Sequence, residues 1–212
     1  MNYDLYVITM EVLTVGRSHL DVAKAALEGG AGVIQFREKT KTTSEMYQVA
    51  SNLKILANEY GIPLLVDDRL DIALAVDAKG VHLGRHDMPL PIARKILGPD
   101  RVIGASARNV QEAIKAEREG ANYLGVGPIY LTPSKTDAGE PIGWRILEEI
   151  KKVVKIPIVA IGGITTEKVK EVLEAGADGV AVISAVAGAA DMKAATAKLL
   201  NSIREIKGSR DL

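Results

Sequence analysis

Three times the chain passes from a helix-ending glycine through a short turn into an apolar strand: Gly29-Gly30-Ala31-Gly32-Val33, Gly120-Ala121-Asn122-Tyr123 and Gly176-Ala177-Asp178-Gly179-Val180. A glycine just past the last helical residue satisfies the helix end and turns the chain. Recurrence of one such joint marks a repeated supersecondary unit. Short apolar runs fall between the joints at Leu5–Thr9, Gly32–Phe36, from Leu64, Gly80–Leu83, Val102–Ser106, Tyr123–Val126, Ile158–Ile161 and Gly179–Ile183. They lack strict alternation, as expected when both faces of a strand are buried.

Helical patterns fill the intervals. Ser18 is placed to cap a first helix ending at Gly29, and Thr42 with Glu45 forms a capping box. Met46, Val49, Ala50, Leu53 and Leu56 then share one helical face. Pro89 to Leu97 makes another helix, and Asn109 caps one ending at Gly120. A helix from near Gly143 should bury Ile146, Leu147, Ile150, Val153 and Val154; one from Thr165 or Thr166 should bury Val169, Val172 and Leu173. One long Ala-rich helix is expected from strand eight to about Ile206. Eight alternating units without a linker or split point predict a single α/β domain, a (β/α)8 barrel over residues 1–207, with 208–212 as a frayed tail. A doubly wound open sheet is the competitor.

The 212 residues are 47% hydrophobic, enough for one sizeable core, and 27 basic residues balance 27 acidic ones. Neutral charge gives no hint of nucleic acid or a membrane surface. With no cysteine, disulfides, thiolate metal sites and a cysteine nucleophile are excluded. No apolar run reaches the roughly 18–20 residues of a membrane span, and no signal peptide is read at the start. The expectation is a cytoplasmic protein acting on small molecules, with homo-oligomerisation left open.

In a closed barrel, chemistry sits at the C-terminal strand ends. Strand two ends in Gln35, Arg37 and Lys39, whose spacing puts them on one side of an extended chain. Arg and Lys aimed at one place suit a polyanion; a solvated charge cluster gives the same pattern. Asp67 and Asp68 follow strand three and Asp87 follows strand four. Asp68 and Asp87 at adjacent strand ends suit Mg²⁺ meeting a substrate phosphate; turn or N-cap aspartates also fit. Strand five gives Ser106, with Arg108 nearby, and strand six leads through Gly127-Pro128 into a long polar loop, 131–139, read as a lid or as a plain surface loop. Gly162-Gly163-Ile164 and Ile183-Ser184-Ala185 each precede a helix, so their backbone amides form a phosphate seat or tight turns. His19 is expected on a helix, His82 in the core of a strand, and His86 alone near the rim, as a turn residue. A monophosphate corner facing a metal-assisted diphosphate corner implies a transferase with a diphosphate leaving group.

The stretches GVIQFREK (32–39), VDDRLDIALAVDAKGVHLGRHDMP (66–89), GAS (104–106), GPIYLTPSK (127–135), IVAIGGI (158–164) and ADGVAVISA (177–185) together resemble the thiamine phosphate synthase family. That family joins 4-amino-2-methyl-5-hydroxymethylpyrimidine diphosphate to a thiazole phosphate, releases diphosphate and requires Mg²⁺. The resemblance implies that the pyrimidine diphosphate meets Gln35, Phe36, Arg37, Glu38, Lys39, Asp67, Ser106 and Lys135. Of these, Arg37, Lys39, Ser106 and Lys135 would act in catalysis. Asp68 and Asp87 would hold Mg²⁺, and the thiazole phosphate would meet Thr132, Pro133, Ser134, Gly163, Ile183 and Ser184. Three positions depart from the family pattern: Asp67 stands for a usual Asn, Ser134 for a common Thr and Arg108 for a common His. The rivals are a thiazole tautomerase on the same barrel and a non-catalytic phosphate-binding regulator. Retention of Lys39, Asp68 and Asp87 favours the synthase over both.

Overall fold

The computed structural model describes residues 1–11, 16–132, 134 and 139–209. Eight parallel strands close in sequence order into one barrel, β1 pairing with both β2 and β8. The strands are β1 Leu5–Thr9, β2 Val33–Phe36, β3 Leu64–Asp67, β4 Gly80–Leu83, β5 Val102–Ala107, β6 Tyr123–Val126, β7 Ile158–Ile161 and β8 Gly179–Val182. Around them, among the described residues, lie α1 His19–Glu28, α2 Thr43–Glu59, α3 Leu70–Ala75, α4 Leu90–Leu97, α5 Val110–Arg118, α6 Arg145–Lys151, α7 Val169–Glu174, α8 Ser184–Ala187 and α9 Met192–Gly208. No described helix is long and apolar enough to cross a membrane.

The helix starts follow from their caps. Ser18 and Asp21 exchange reciprocal bonds at α1, Thr42 and Glu45 do the same at α2, and the Asn109 side chain accepts from Glu112 N–H at α5. Two expectations are corrected. After strand eight there are two helices, because Gly188 closes α8 on the Ser184 carbonyl and Asp191 caps α9 through Ala194 N–H. Arg17 stabilises this break, donating to the carbonyls of Ala187, Ala189 and Ala190. Val153 is 45% exposed, since α6 has already ended at Lys151, while Val154 is buried.

Two apolar layers result. Outward-facing strand residues such as Val7, Ile34, Val66, Val81, Leu124 and Val180 pack under the helices. Inside the barrel, Tyr6, Val33, Leu65, Tyr123 and Val159 fill the lower part. A side chain at Gly104 would fall within the Tyr123 ring, so the absence of a Cβ there lets the phenol cross the barrel. Above this plug Gln35, Asp67, His82 and Ser106 face inward from β2 to β5 while Ile8, Ile161 and Ala181 keep the other strands apolar, and the floor of a cavity begins.

Candidate active site

A cavity of about 710 Å³ opens at the C-terminal ends of the strands. Its floor is a hydrogen-bond chain. Gln35 Nε2 donates to the Tyr6 hydroxyl (2.7 Å), which lies 2.9 Å from the Tyr123 hydroxyl. Tyr123 meets His82 Nδ1 at 2.9 Å, and His82 Nε2 meets Ser106 Oγ at 3.0 Å. Burial pushes both phenols well above their ordinary range, so each keeps its proton. Tyr6 accepts from Gln35; either phenol can donate in the Tyr6–Tyr123 contact, and the roles of the two His82 nitrogens toward Tyr123 and Ser106 follow the ring's tautomer. Sequence reasoning placed His82 in the core and missed this chain. The ring is half-buried and faces the cavity, because His82 pairs in register with inward-facing Asp67. The alternation of His82 with outward-facing Val81 and Leu83 was the available signal.

One flank is charged. Gln35, Arg37 and Lys39 all line the cavity, as their spacing predicted. Arg37 Nε lies 3.4 Å and Lys39 Nζ 3.1 Å from Asp67 Oδ2, and Lys39 Nζ also rests on Asp68 Oδ2. Asp68 has a positive φ of 58°, a left-handed conformation that Asp tolerates better than most residues. The N-cap of α3 is Arg69, with no side-chain cap bond, so Asp68 is not a cap. Asp87 lines the same cavity while its Oδ2 accepts from Gly84 N–H at 2.6 Å. Hard carboxylate oxygens from adjacent strand ends suit a divalent cation, and the ammonium on Asp68 shows a positive charge received there. The side chains of Phe36 and Glu38 point to the opposite side of β2, toward α1, and do not line the cavity.

The other flank is built of turns and hydroxyls. Gly163 has a φ of 63°, and a Cβ there would run into the Leu131 carbonyl and Tyr130 Cβ (2.9 Å), so the β6 and β7 loops touch only because it is glycine. Thr132, Ser134, Gly163, Ile183 and Ser184 line this side, and Ser134 Oγ lies 3.2 Å from Ser184 Oγ. Lys168, unremarked in the sequence, also lines it and donates to Gly163 O at 3.2 Å. Arg108 lines the cavity and donates through Nη2 to Glu140 O at 2.6 Å, holding the far end of the β6 loop. Pro133 and Lys135, and with them most of the expected lid, lie outside the described residues.

Fold and site together define a (β/α)8 barrel enzyme with a charged cavity at its C-terminal mouth. The thiamine monophosphate synthase family model matches residues 5–186. The chain is 47% identical over 203 residues to the thiamine-phosphate synthase of Shouchella clausii, covering 96% of this chain and 97% of the relative. It is 50% identical over 199 residues to that of Chloroflexus aurantiacus, covering 94% and 92%. A solved thiamine phosphate pyrophosphorylase from Pyrococcus furiosus superposes with a TM-score of 0.90 at 46% identity, covering 97% of each chain. The chain therefore belongs to the thiamine monophosphate synthase family. These full-length relatives support thiamine-phosphate synthase function, a transferase activity of thiamine biosynthesis.

Proposed function

We propose that the cavity condenses 4-amino-2-methyl-5-hydroxymethylpyrimidine diphosphate with a thiazole phosphate, giving thiamine phosphate and diphosphate. The observation that carries this reading is the division of one cavity into two flanks. Arg37, Lys39, Asp67 and Asp68 stand on one side, and Ser134, Gly163 and Ser184 on the other. The charged flank receives the diphosphate, with Gln35 and Ser106 reaching it from the floor; the family resemblance adds Lys135, which lies outside the described residues. Asp68 and Asp87 hold Mg²⁺, which when bound supplies positive charge to the leaving diphosphate. The hydroxyls and backbone amides of the opposite flank hold the thiazole monophosphate.

In the reaction the bond between the pyrimidine methylene and the diphosphate oxygen breaks, and the electron pair leaves on the diphosphate. The thiazole nitrogen supplies the pair that forms the new C–N bond. Arg37 and Lys39 stabilise the charge that grows on the departing oxygens. The floor and the thiazole seat fix the two rings so that capture of the cationic carbon outruns water. No protein nucleophile is required. Incubating the protein with both substrates and Mg²⁺ should yield thiamine phosphate and diphosphate. Asp68→Ala should abolish that turnover while leaving the fold intact, and near-normal activity in a folded Asp68→Ala protein would refute the assignment.

A further inference from the structure

Alternation along β2 divides the segment Gln35–Lys39 between two sides. Gln35, Arg37 and Lys39 line the cavity. Phe36 and Glu38 face the other way, and both meet His19, the first residue of α1. His19 is 1% exposed, and its ring stands edge-on to Phe36 with centroids 4.9 Å apart. Its Nε2 lies 3.2 Å from Glu38 Oε2 and its Nδ1 2.8 Å from Thr9 Oγ1, which in turn lies 3.2 Å from the Gln35 carbonyl oxygen. One imidazole thus touches the segment at Phe36 and at Glu38. Glu38 extends that restraint: its Oε1 accepts from the backbone N–H of Lys39 and of Thr40, each at 2.7 Å, and from Thr40 Oγ1 at 2.9 Å.

We infer that His19 and Glu38 are positioning residues for Arg37 and Lys39, acting from outside the cavity. Resting on the proposed function for what those two cations bind, the inference draws its geometry from the contacts alone. β2 ends at Phe36, so no sheet ladder holds Arg37 to Thr40 in place. The turn that carries Lys39 is instead wrapped around one carboxylate, and that carboxylate is fixed to α1 by an imidazole. Burial pushes the Glu38 carboxyl up, but the Thr40 amide, His19 and the neighbouring donors outweigh it and bring it down to about 2, so the group is a full anion at neutral pH. A buried anion needs every donor it has, and this demand is what gives the turn a single geometry. The two cations then emerge beside Asp67 and Asp68 from a fixed backbone, which lowers the ordering cost when an anionic ligand arrives.

By residue type, Glu11, His19 and Glu38 would make a metal set, with ligand atoms within 4.8 Å of one another. Lys41 Nζ already stands 2.6 Å from Glu11 Oε2, and Glu38 Oε1 is taken up by the backbone turn. The cluster is therefore organised around proton donors.

The test measures the affinity of inorganic diphosphate with Mg²⁺ by calorimetry, together with kcat and the separate KM values for the two substrates. Glu38→Ala should weaken diphosphate binding and lower kcat by roughly 10- to 100-fold, the usual cost of losing a supporting partner. The thiazole phosphate KM should stay within about twofold, because that flank is untouched. Glu38→Gln keeps a carbonyl oxygen for the turn amides and should recover most of the loss. The Glu38→Ala/His19→Ala double variant should be little worse than Glu38→Ala, since the two act as one unit. Unchanged diphosphate affinity in folded Glu38→Ala, or an equal decline on both substrates, overturns the inference. If Glu38→Ala does not fold, His19→Gln carries the test: a severalfold loss of diphosphate affinity supports the role and unchanged affinity overturns it. A wild-type protein that binds diphosphate but turns over neither substrate would refute the proposed function instead, leaving the affinity comparison to judge the pair.

Discussion

Lys39 stands against two acids, Asp67 and Asp68, yet its side chain is 44% exposed. An ion pair that open contributes about 0–1 kcal/mol to stability, so the lysine is kept for something other than the fold. Lys39→Met should leave the unfolding free energy within about 1 kcal/mol of wild type. It should also slow turnover at least tenfold and weaken inhibition by inorganic diphosphate; equal inhibition of the two proteins would show that the ammonium does not meet that ligand. Glu38 is the contrasting case, with a side chain only 6% exposed. Its carboxyl titrates below its usual value when folded, so the stabilisation it gives is complete above about pH 5 and is lost as pH falls toward about 2. Denaturant melts of wild type and Glu38→Gln should therefore differ near neutrality and converge in acid. A gap independent of pH would mean that the charge contributes nothing.

Strand alternation made much of the charged flank readable in advance. The i, i+2, i+4 spacing of Gln35, Arg37 and Lys39 still puts all three on the cavity, even though β2 stops at Phe36 and the chain bends from Lys39 around the Glu38 carboxylate. The same alternation sends Phe36 and Glu38 to α1, which a resemblance to whole motifs does not distinguish. His82 alternates with Val81 and Leu83, which face the helices, so its inward direction was legible; that it faces a cavity rather than packed core needed the register with Asp67. The break between α8 and α9 was illegible for a different reason, since the carbonyls it frees are satisfied by Arg17, far away in sequence. The floor chain itself makes a prediction. Tyr123→Phe removes the link between Tyr6 and His82, leaving a buried phenol and an imidazole each short of a partner, at a cost of about 1–3 kcal/mol. If the chain orients Ser106, Tyr123→Phe should slow turnover, and adding it to Ser106→Ala should cost nothing further in kcat. Additive losses would separate the phenol from the serine.

Closure of the barrel does for the substrates what no single element does. With strands in the order β1 to β8, β3 stands opposite β7, so the acids after β3 and the glycine turn after β7 face each other across one cavity. Each flank is built by its own loops: Lys39 is held by Asp67 and Asp68, and the turn at Gly163 by Tyr130, Leu131 and Lys168. No described hydrogen bond or ion pair between side chains joins those two groups directly, and the floor lies between them. Sites without shared partners behave independently, usually to within about 0.5 kcal/mol. Ser184→Ala should therefore raise the thiazole phosphate KM and leave diphosphate inhibition as it is, while Lys39→Met should do the reverse. In the double variant the two binding defects should multiply, because the barrel wall transmits little strain from one side of the mouth to the other. The combined loss in kcat/KM can still exceed that product, since the two rings must also meet at the distance of a forming bond. Equilibrium titrations with inorganic diphosphate and with thiazole phosphate, each alone and each in the presence of the other, separate these cases. Independent affinities with a synergistic loss of turnover match a mouth that binds two anions apart and joins their rings in the middle. Mutual exclusion of the two ligands would mean that they share one corner.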